Sequence, residues 1–506
     1  MDGQVVILQE TTEKSNNRLG FWKFSVGLRH SYTSLQIWIY LLGVAMTIAL
    51  FVFLNSTQGF VLKEILNYPT DNLGYASGSL VFYDELLSLF MVAVWGILSD
   101  LVDRFSIFGL GFLFSALGLG VFTYASNLYP QLLLFRLVFA IGGSACSAML
   151  TAILSDVVLE QDRGKLSGIT GLMSGAGALL GVFLFLPLPA KFGDGPDAIH
   201  KSYLIVAGVA IFIATLLFAV SIARYYQDKP LPLQSDLTGQ HSDSGSSNEG
   251  LDSEERLLPT NGTVGKLWDS ISLGFSASKN PNILMGHLAS FLARGDSLSL
   301  TLFIPLWVYQ YYLVNGLCNT NTSPENADKD TCNEAYIKAS ILSGVAQTFA
   351  LVGAPIFGYL SDKIYRPFAL LFASVLAAIG YLLLSLQQNP IAGINFLFLF
   401  LVGFGEIGLI IVSLGLVTHT SVPNGSKGSV AGIASFSGAL GILVISKLGG
   451  YLFDSWFPGA PFLLLAILHF VFIALSLIII ASQVSANGGW SLSTFTKLRN
   501  DFQLIE

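Results

Sequence analysis

Apolar residues run through this chain in long uninterrupted stretches, broken by short polar punctuation, rather than in the amphipathic periods of a soluble fold. Twelve stretches reach the ~20 residues that a helix needs to cross a bilayer. They lie near 36–62, 74–98, 106–126, 131–156, 167–188, 202–224, 283–313, 336–360, 367–387, 392–418, 431–453 and 460–482. Six precede a long polar segment and six follow it. The pattern predicts an all-α membrane protein of twelve transmembrane helices, in two six-helix bundles at 35–225 and 281–483. Polar tails are expected at 1–34 and 484–506, with no secretory signal in the first. In the linker, 226–280, the Ser, Asp and Gly content predicts disorder over about 228–262. The more amphipathic stretch from Val264 to Ser276 reads either as a surface helix or as plain linker.

Composition agrees. Of 506 residues, 53% are hydrophobic and 11% charged, and mean hydropathy is +0.66. Soluble domains run at roughly 25% charged, so the lipid bilayer is the solvent expected here. Net charge is −7 and no basic stripe interleaved with aromatics is present, which argues against nucleic acid as a partner.

The two halves repeat. Gly96-Ile97-Leu98-Ser99-Asp100 with Arg104 returns as Gly358-Tyr359-Leu360-Ser361-Asp362 with Arg366, an offset of 358 − 96 = 262 residues. Asp162–Gly168 matches Ser426–Gly432 at 264, and Ala140-Ile141-Gly142 matches Gly403-Phe404-Gly405 at 263. A near-constant offset argues for parallel repeats related by an axis along the membrane normal, hence two pseudo-symmetric bundles.

These residues resemble the major facilitator superfamily over nearly the whole chain. Gly96, Asp100 and Arg104, and again Gly358, Asp362 and Arg366, stand where that family has its loop signature. Leu101 and Asp103 depart from the pattern in the first copy, and Lys363 keeps it in the second. Arg136 with Gly142 and Gly143 is similar to the family's fourth-span motif. Gly171, Gly175, Gly177 and Gly181 have the texture of its antiporter motif without the expected Pro. Within the family, the chain resembles fungal and microbial multidrug:proton antiporters. The resemblance implies a cytoplasmic gate in which Asp100 reaches the start of the eleventh span, near Gly428–Gly432. By pseudo-symmetry Asp362 would reach the start of the fifth, near Gly164–Gly168.

Charges within the spans are the candidates for chemistry, because an ionisable group at membrane depth faces a cavity or a partner. They are Asp84 and Glu85, Arg136, Arg294 and Asp296, Glu406, Lys447 and His469. Asp84 and Glu85 point about 100° apart on a helix, so one or the other is expected to meet Arg136. Arg294 and Asp296 do not face each other on a regular helix, although a break at Gly295 would change that. Asp84, Glu85, Arg136, Arg294, Asp296 and Glu406 are the proton-coupling or substrate-binding candidates. Lys447 is expected to snorkel to the outer interface and His469 to be a packing residue. Trp307, Tyr309, Tyr311 and Tyr312 are expected to form an interfacial belt.

Cys318 and Cys332 share one polar loop with the glycosylation acceptor Asn321, which predicts a disulfide and an outward-facing loop. Placing both termini in the cytoplasm puts 17 of the 25 Lys and Arg residues on that side and 5 in the opposite loops. The positive-inside rule favours that orientation. Asp252–Pro259 resembles an acidic dileucine sorting signal, favouring a vacuolar or lysosomal membrane over the plasma membrane.

No P-loop, HExxH or Gly-x-Ser-x-Gly is present, so neither an enzyme nor an ATP-driven pump is expected. The expectation is a monomeric secondary transporter of a small organic solute, proton-coupled and with no cofactor or metal. A facilitative uniporter and a non-transporting nutrient receptor or lipid-handling protein are the alternatives.

Overall fold

The computed structural model describes residues 18–21, 24–27, 32–157, 163–193, 195–227, 272–318, 332–417 and 427–489. Within them lie twelve helices long and apolar enough to cross a membrane. They are α1 (Ser34–Ile65), α2 (Thr70–Ser99), α3 (Arg104–Phe122), α4 (Leu128–Val157), α5 (Leu166–Phe192), α6 (Pro196–Tyr226), α7 (Pro281–Val314), α8 (Asn333–Ser361), α9 (Arg366–Ser385), α10 (Asn395–Val417), α11 (Ser429–Ser455) and α12 (Ala460–Ala486). A two-stranded antiparallel hairpin, β1 (Arg18–Phe21) and β2 (Phe24–Gly27), precedes them, within the tail read as merely polar. In the linker, residues 272–277 are helical; the rest of the expected surface helix lies outside the described residues.

Helix starts follow from their caps. Thr33 and Gln36 form a reciprocal capping box at α1. Asp103 caps α3 by accepting from the Ser106 amide at 3.1 Å, and it pairs with Arg224 at 3.3 Å. The residue that departs from the family's loop pattern thus holds two elements of its own bundle together. At the same end Tyr365 joins α12 and α7 by donating to Gln483 and, at 3.4 Å, to Asn282. Burial pushes its phenol up to about 12.

The sequence repeat is a structural repeat. In the first half α3 packs between α4 and α6, and in the second α9 packs between α10 and α12. Glycines at repeat positions make the closest approaches. A Cβ on Gly142 would meet the Gly111 carbonyl at 2.4 Å, and one on Gly405 the Ala373 carbonyl at 2.7 Å, with 405 − 142 = 263. Likewise Gly177 lies against the Ala45 carbonyl at 2.0 Å and Gly441 against Phe291 at 2.1 Å, with 441 − 177 = 264. Without side chains there, backbones come close enough for dense helix packing in lipid. Arg104 donates to the Ala152 carbonyl at 2.5 Å, and Arg366 to that of Gly415 at 2.9 Å, at offsets of 262 and 263.

The halves meet mainly where α2 lies along α11, with α5 beside α8 as the counterpart. Gly78 sits against the Ser446 carbonyl and Gly74 against that of Gly450, where a Cβ would come within 2.0 Å and 2.9 Å. Ser56 donates to Thr301 at 2.8 Å, and Ser340 to Val182 at 2.7 Å. Every one of these contacts lies toward the end of the bundle opposite the termini, the far end. At the terminal end a Cβ on Gly96, Gly168, Gly358 or Gly432 would meet no atom within 4 Å. Among the described residues, the close approaches between the halves therefore gather at the far end.

Candidate functional site

In the first half the polar core is built around a buried arginine. Arg136 on α4 is 1% exposed, and its Nη2 forms an ion pair with Asp84 Oδ2 at 2.8 Å. Nη2 also donates to Asn55 at 2.7 Å and Nη1 to Gln58 Oε1 at 2.5 Å, both on α1. Gln58 in turn donates to the Ser77 carbonyl at 3.3 Å, tying α1 to α2. Asp84 rather than Glu85 is therefore the partner of Arg136, as the angle between adjacent helical residues requires. An ion pair in this setting persists because amide oxygens satisfy the remaining guanidinium protons. Nε is the exception, buried without a hydrogen-bond partner.

Glu85 points elsewhere. Arg294 on α7 acts electrostatically both on it and on Glu406 of α10. Arg294 is exposed although it lies well inside α7. A guanidinium at that depth is expected to border water rather than lipid.

The second half carries a different core. Asp296 Oδ1 lies 3.1 Å from His469 Nε2, and both side chains are fully buried. His469 Nδ1 faces the Ser374 hydroxyl at 2.9 Å, and the Tyr381 ring stacks on the imidazole at 5.8 Å between centroids. Next along α7, Ser297 donates to Glu406 Oε1 at 2.5 Å. Asp296 Oδ2 and Glu406 Oε2 are buried without hydrogen-bond partners among the described residues. The helix remains regular through Gly295; its irregularity is the π-helical turn Ser299–Phe303, where Ser299 meets the Tyr381 hydroxyl at 3.0 Å. Arg294 and Asp296 do not pair, as their spacing predicts. His469 is a partnered residue, but its partner is a carboxylate that sequence spacing could not reveal.

Two expectations at the far end are corrected. Lys447 does not reach for the interface: its ammonium donates to Ser79 at 2.8 Å and to the Tyr75 hydroxyl at 3.0 Å, across the divide. Seven residues on, Asp454 accepts the Gly74 and Tyr75 amides at 2.9 and 2.6 Å, capping α2 from α11. Trp307, Tyr309 and Tyr312 are buried rather than ranged along an interface. They are core residues because α7 faces α1: Tyr309 donates to Glu64 at 3.2 Å and packs on Phe60.

The gate residues divide. The side chains of Asp100 and Asp362 lie outside the described residues, as does Asn321. Arg104 binds within its own half, to Asp156 at 3.1 Å as well as to Ala152, and Arg366 likewise. Cys318 and Cys332 have their Cα atoms 4.6 Å apart, inside the range that a disulfide spans.

Among curated proteins the chain is similar to the magnetosome protein MamH of Paramagnetospirillum magneticum, 24% identical over 89% of this chain and 94% of that one. It is 25% identical to the magnetosome protein MamZ of the same organism, over 81% of this chain and 57% of MamZ. A shorter match, 29% identical over 30% of this chain and 28% of the other, is to multidrug resistance protein 3 of Bacillus subtilis. Its fold resembles the crystal structure of a point mutant of the nucleoside transporter NupG, with a TM-score of 0.61 over 88% of this chain and 99% of that one, at 12% identity. The family model of the Major Facilitator Superfamily matches residues 33–446 and 288–490. The chain is an integral multi-pass membrane protein, and it belongs to the Major Facilitator Superfamily.

Proposed function

We propose that the protein is a proton-coupled secondary transporter that carries a small organic solute by rocking its two halves about a central cavity. The observation that carries this reading is the set of acidic groups within the spans, gathered about one arginine. Glu85 and Glu406 share the charge of Arg294 across the divide, and Glu406 keeps one buried oxygen without a partner. A carboxylate half-satisfied in a low-dielectric site is stabilised by taking up a proton, and a cation beside it opposes that uptake. Solute or conformational change that moves Arg294 relative to Glu406 then changes proton affinity, which is the coupling required.

Alternating access follows from the same geometry. The far end is held by Asp454 on the α2 amides, by Lys447 on Ser79 and Tyr75, and by the Gly74 and Gly78 approaches. Opening that end must break all of these while the terminal end closes. We assign the closing contacts to Asp100 and Asp362. Both termini are placed in the cytoplasm, with a Cys318–Cys332 disulfide and a glycan on Asn321 outside the cytoplasm. A vacuolar or lysosomal membrane is favoured, with a monomer as the working unit.

The test is flux in sealed proteoliposomes, with a panel of small organic solutes screened under an imposed pH step. Solute movement that follows the step, and that falls at least tenfold with Glu406→Gln or Glu85→Gln while exchange at equal pH survives, is the expected result. Flux indifferent to the step would make the protein a uniporter. Binding of a panel member without any flux would make it a receptor.

A further inference from the structure

We infer that the buried Asp296–His469–Ser374 cluster is a proton-binding site in which the imidazole of His469, not a carboxylate alone, takes up the proton. The inference rests on the proton-coupled reading for its use in transport, but its geometry and its test stand apart from it.

Each nitrogen of His469 faces a different kind of partner. Nε2 lies 3.1 Å from Asp296 Oδ1, a group that can only accept when ionised, so Nε2 holds a proton. Nδ1 lies 2.9 Å from the Ser374 hydroxyl. A hydroxyl both donates and accepts. It donates to Nδ1 when the imidazole is neutral and, on turning, accepts from Nδ1–H when the ring is protonated. The cluster therefore satisfies both charge states with one heavy-atom arrangement. A backbone carbonyl at that place would favour the protonated nitrogen alone, whereas the hydroxyl serves both charge states. Proton uptake takes the buried pair from one net negative charge to none.

The neighbouring groups fit this role. Tyr381 stacks on the ring, and its hydroxyl is engaged by Ser299 at 3.0 Å, which fixes the imidazole plane. Among the described residues, the titratable or charged groups acting on the cluster are Tyr381, Glu406 and, through Glu406, Arg294. Ser297, which donates to Glu406, adjoins Asp296 in sequence, linking the cluster to that acid. Asp296 Oδ2 is buried without a hydrogen-bond partner, which leaves the carboxylate's charge to be balanced by the ring. The repeat does not duplicate the site: at an offset of 264 the counterpart of His469 is Ile205, since 469 − 264 = 205. Among the described residues, the His–Asp contact lies in the second half.

The experiment counts protons. Purified full-length protein in weakly buffered detergent solution is titrated between about pH 5 and 8, where histidine changes its charge, with wild type, His469→Gln and Ser374→Ala in parallel. Expected is one proton fewer per chain for His469→Gln and a displaced uptake curve for Ser374→Ala, which leaves the His–Asp contact intact. Identical counts and identical curves overturn the inference, and if His469→Gln fails to fold, an unmoved Ser374→Ala curve overturns it alone. A missing proton in His469→Gln together with wild-type flux indifferent to a pH step would sink the coupled reading and leave the proton site standing.

Discussion

At the scale of single residues, the two halves have kept different charges for different work. Arg136 is almost fully bonded and sits opposite one acid, the arrangement of a structural strut. Removing Asp84 leaves a buried guanidinium without its counter-ion, so Asp84→Ala is expected to cost about 3–5 kcal/mol. Thermal unfolding in detergent measures that loss, and Glu85→Ala, at a partly exposed acid without such a pair, should lower stability much less. The sequence made Asp84, Glu85 and Arg136 candidates but left open which acid pairs, because a helical wheel gives the angle between residues and not the direction of the neighbouring helix. Asn55, Gln58, Ser297 and Ser374 were not legible at all. Neutral polar residues are common in spans, and only packing shows which of them completes a charge.

At the scale of elements, glycine and cap positions decide where helices can part. Gly78 admits the Ser446 carbonyl so closely that any side chain there must push α2 from α11. Asp454 adds two hydrogen bonds from amides at the positive end of α2, each worth about 1.5–3 kcal/mol for a charged acceptor. Asp454→Asn keeps one good acceptor and loses the charge. We expect it to weaken far-end closure by about 1.4 kcal/mol, on the order of tenfold in the open population. Spin labels at the far ends of α2 and α11 would report this as a longer distance class that grows in Asp454→Asn and in Gly78→Ala; unchanged distances would remove the latch role. At the terminal end the corresponding expectation concerns the unequal loop copies. Because Lys363 retains the pattern that Leu101 loses, Asp362→Asn should slow initial flux at matched expression at least as much as Asp100→Asn. The far-end latch escaped the sequence because Lys447 and Asp454 sit seven residues apart near a helix end, where snorkelling explains one and solvation the other. The aromatic run of α7 misled for a related reason. Aromatics near a span end resemble an interfacial belt unless the facing helix, here α1 with Phe60 and Glu64, is known.

At the scale of the whole molecule, hydropathy and the 262–264 residue repeat carried most of the fold. Twelve runs of spanning length became twelve helices, and residues at equal offsets became equivalent contacts: Gly142 with Gly405, Gly177 with Gly441, Arg104 with Arg366. The repeat preserves the close helix approaches and the arginine ties at the terminal end. It does not preserve the polar cores, Arg136 in one half and Asp296 with His469 in the other. Symmetric shells around unlike centres would let one half hold a fixed charge while the other changes its charge, as the proposed coupling asks. The measurement that tests this most directly is the internal pH of sealed proteoliposomes when the transported solute is added outside. We predict a solute-dependent pH change in wild-type vesicles that is lost in Glu406→Gln and retained in the far-end variant Asp454→Asn. Solute entry with no accompanying pH change in the wild type would contradict proton coupling.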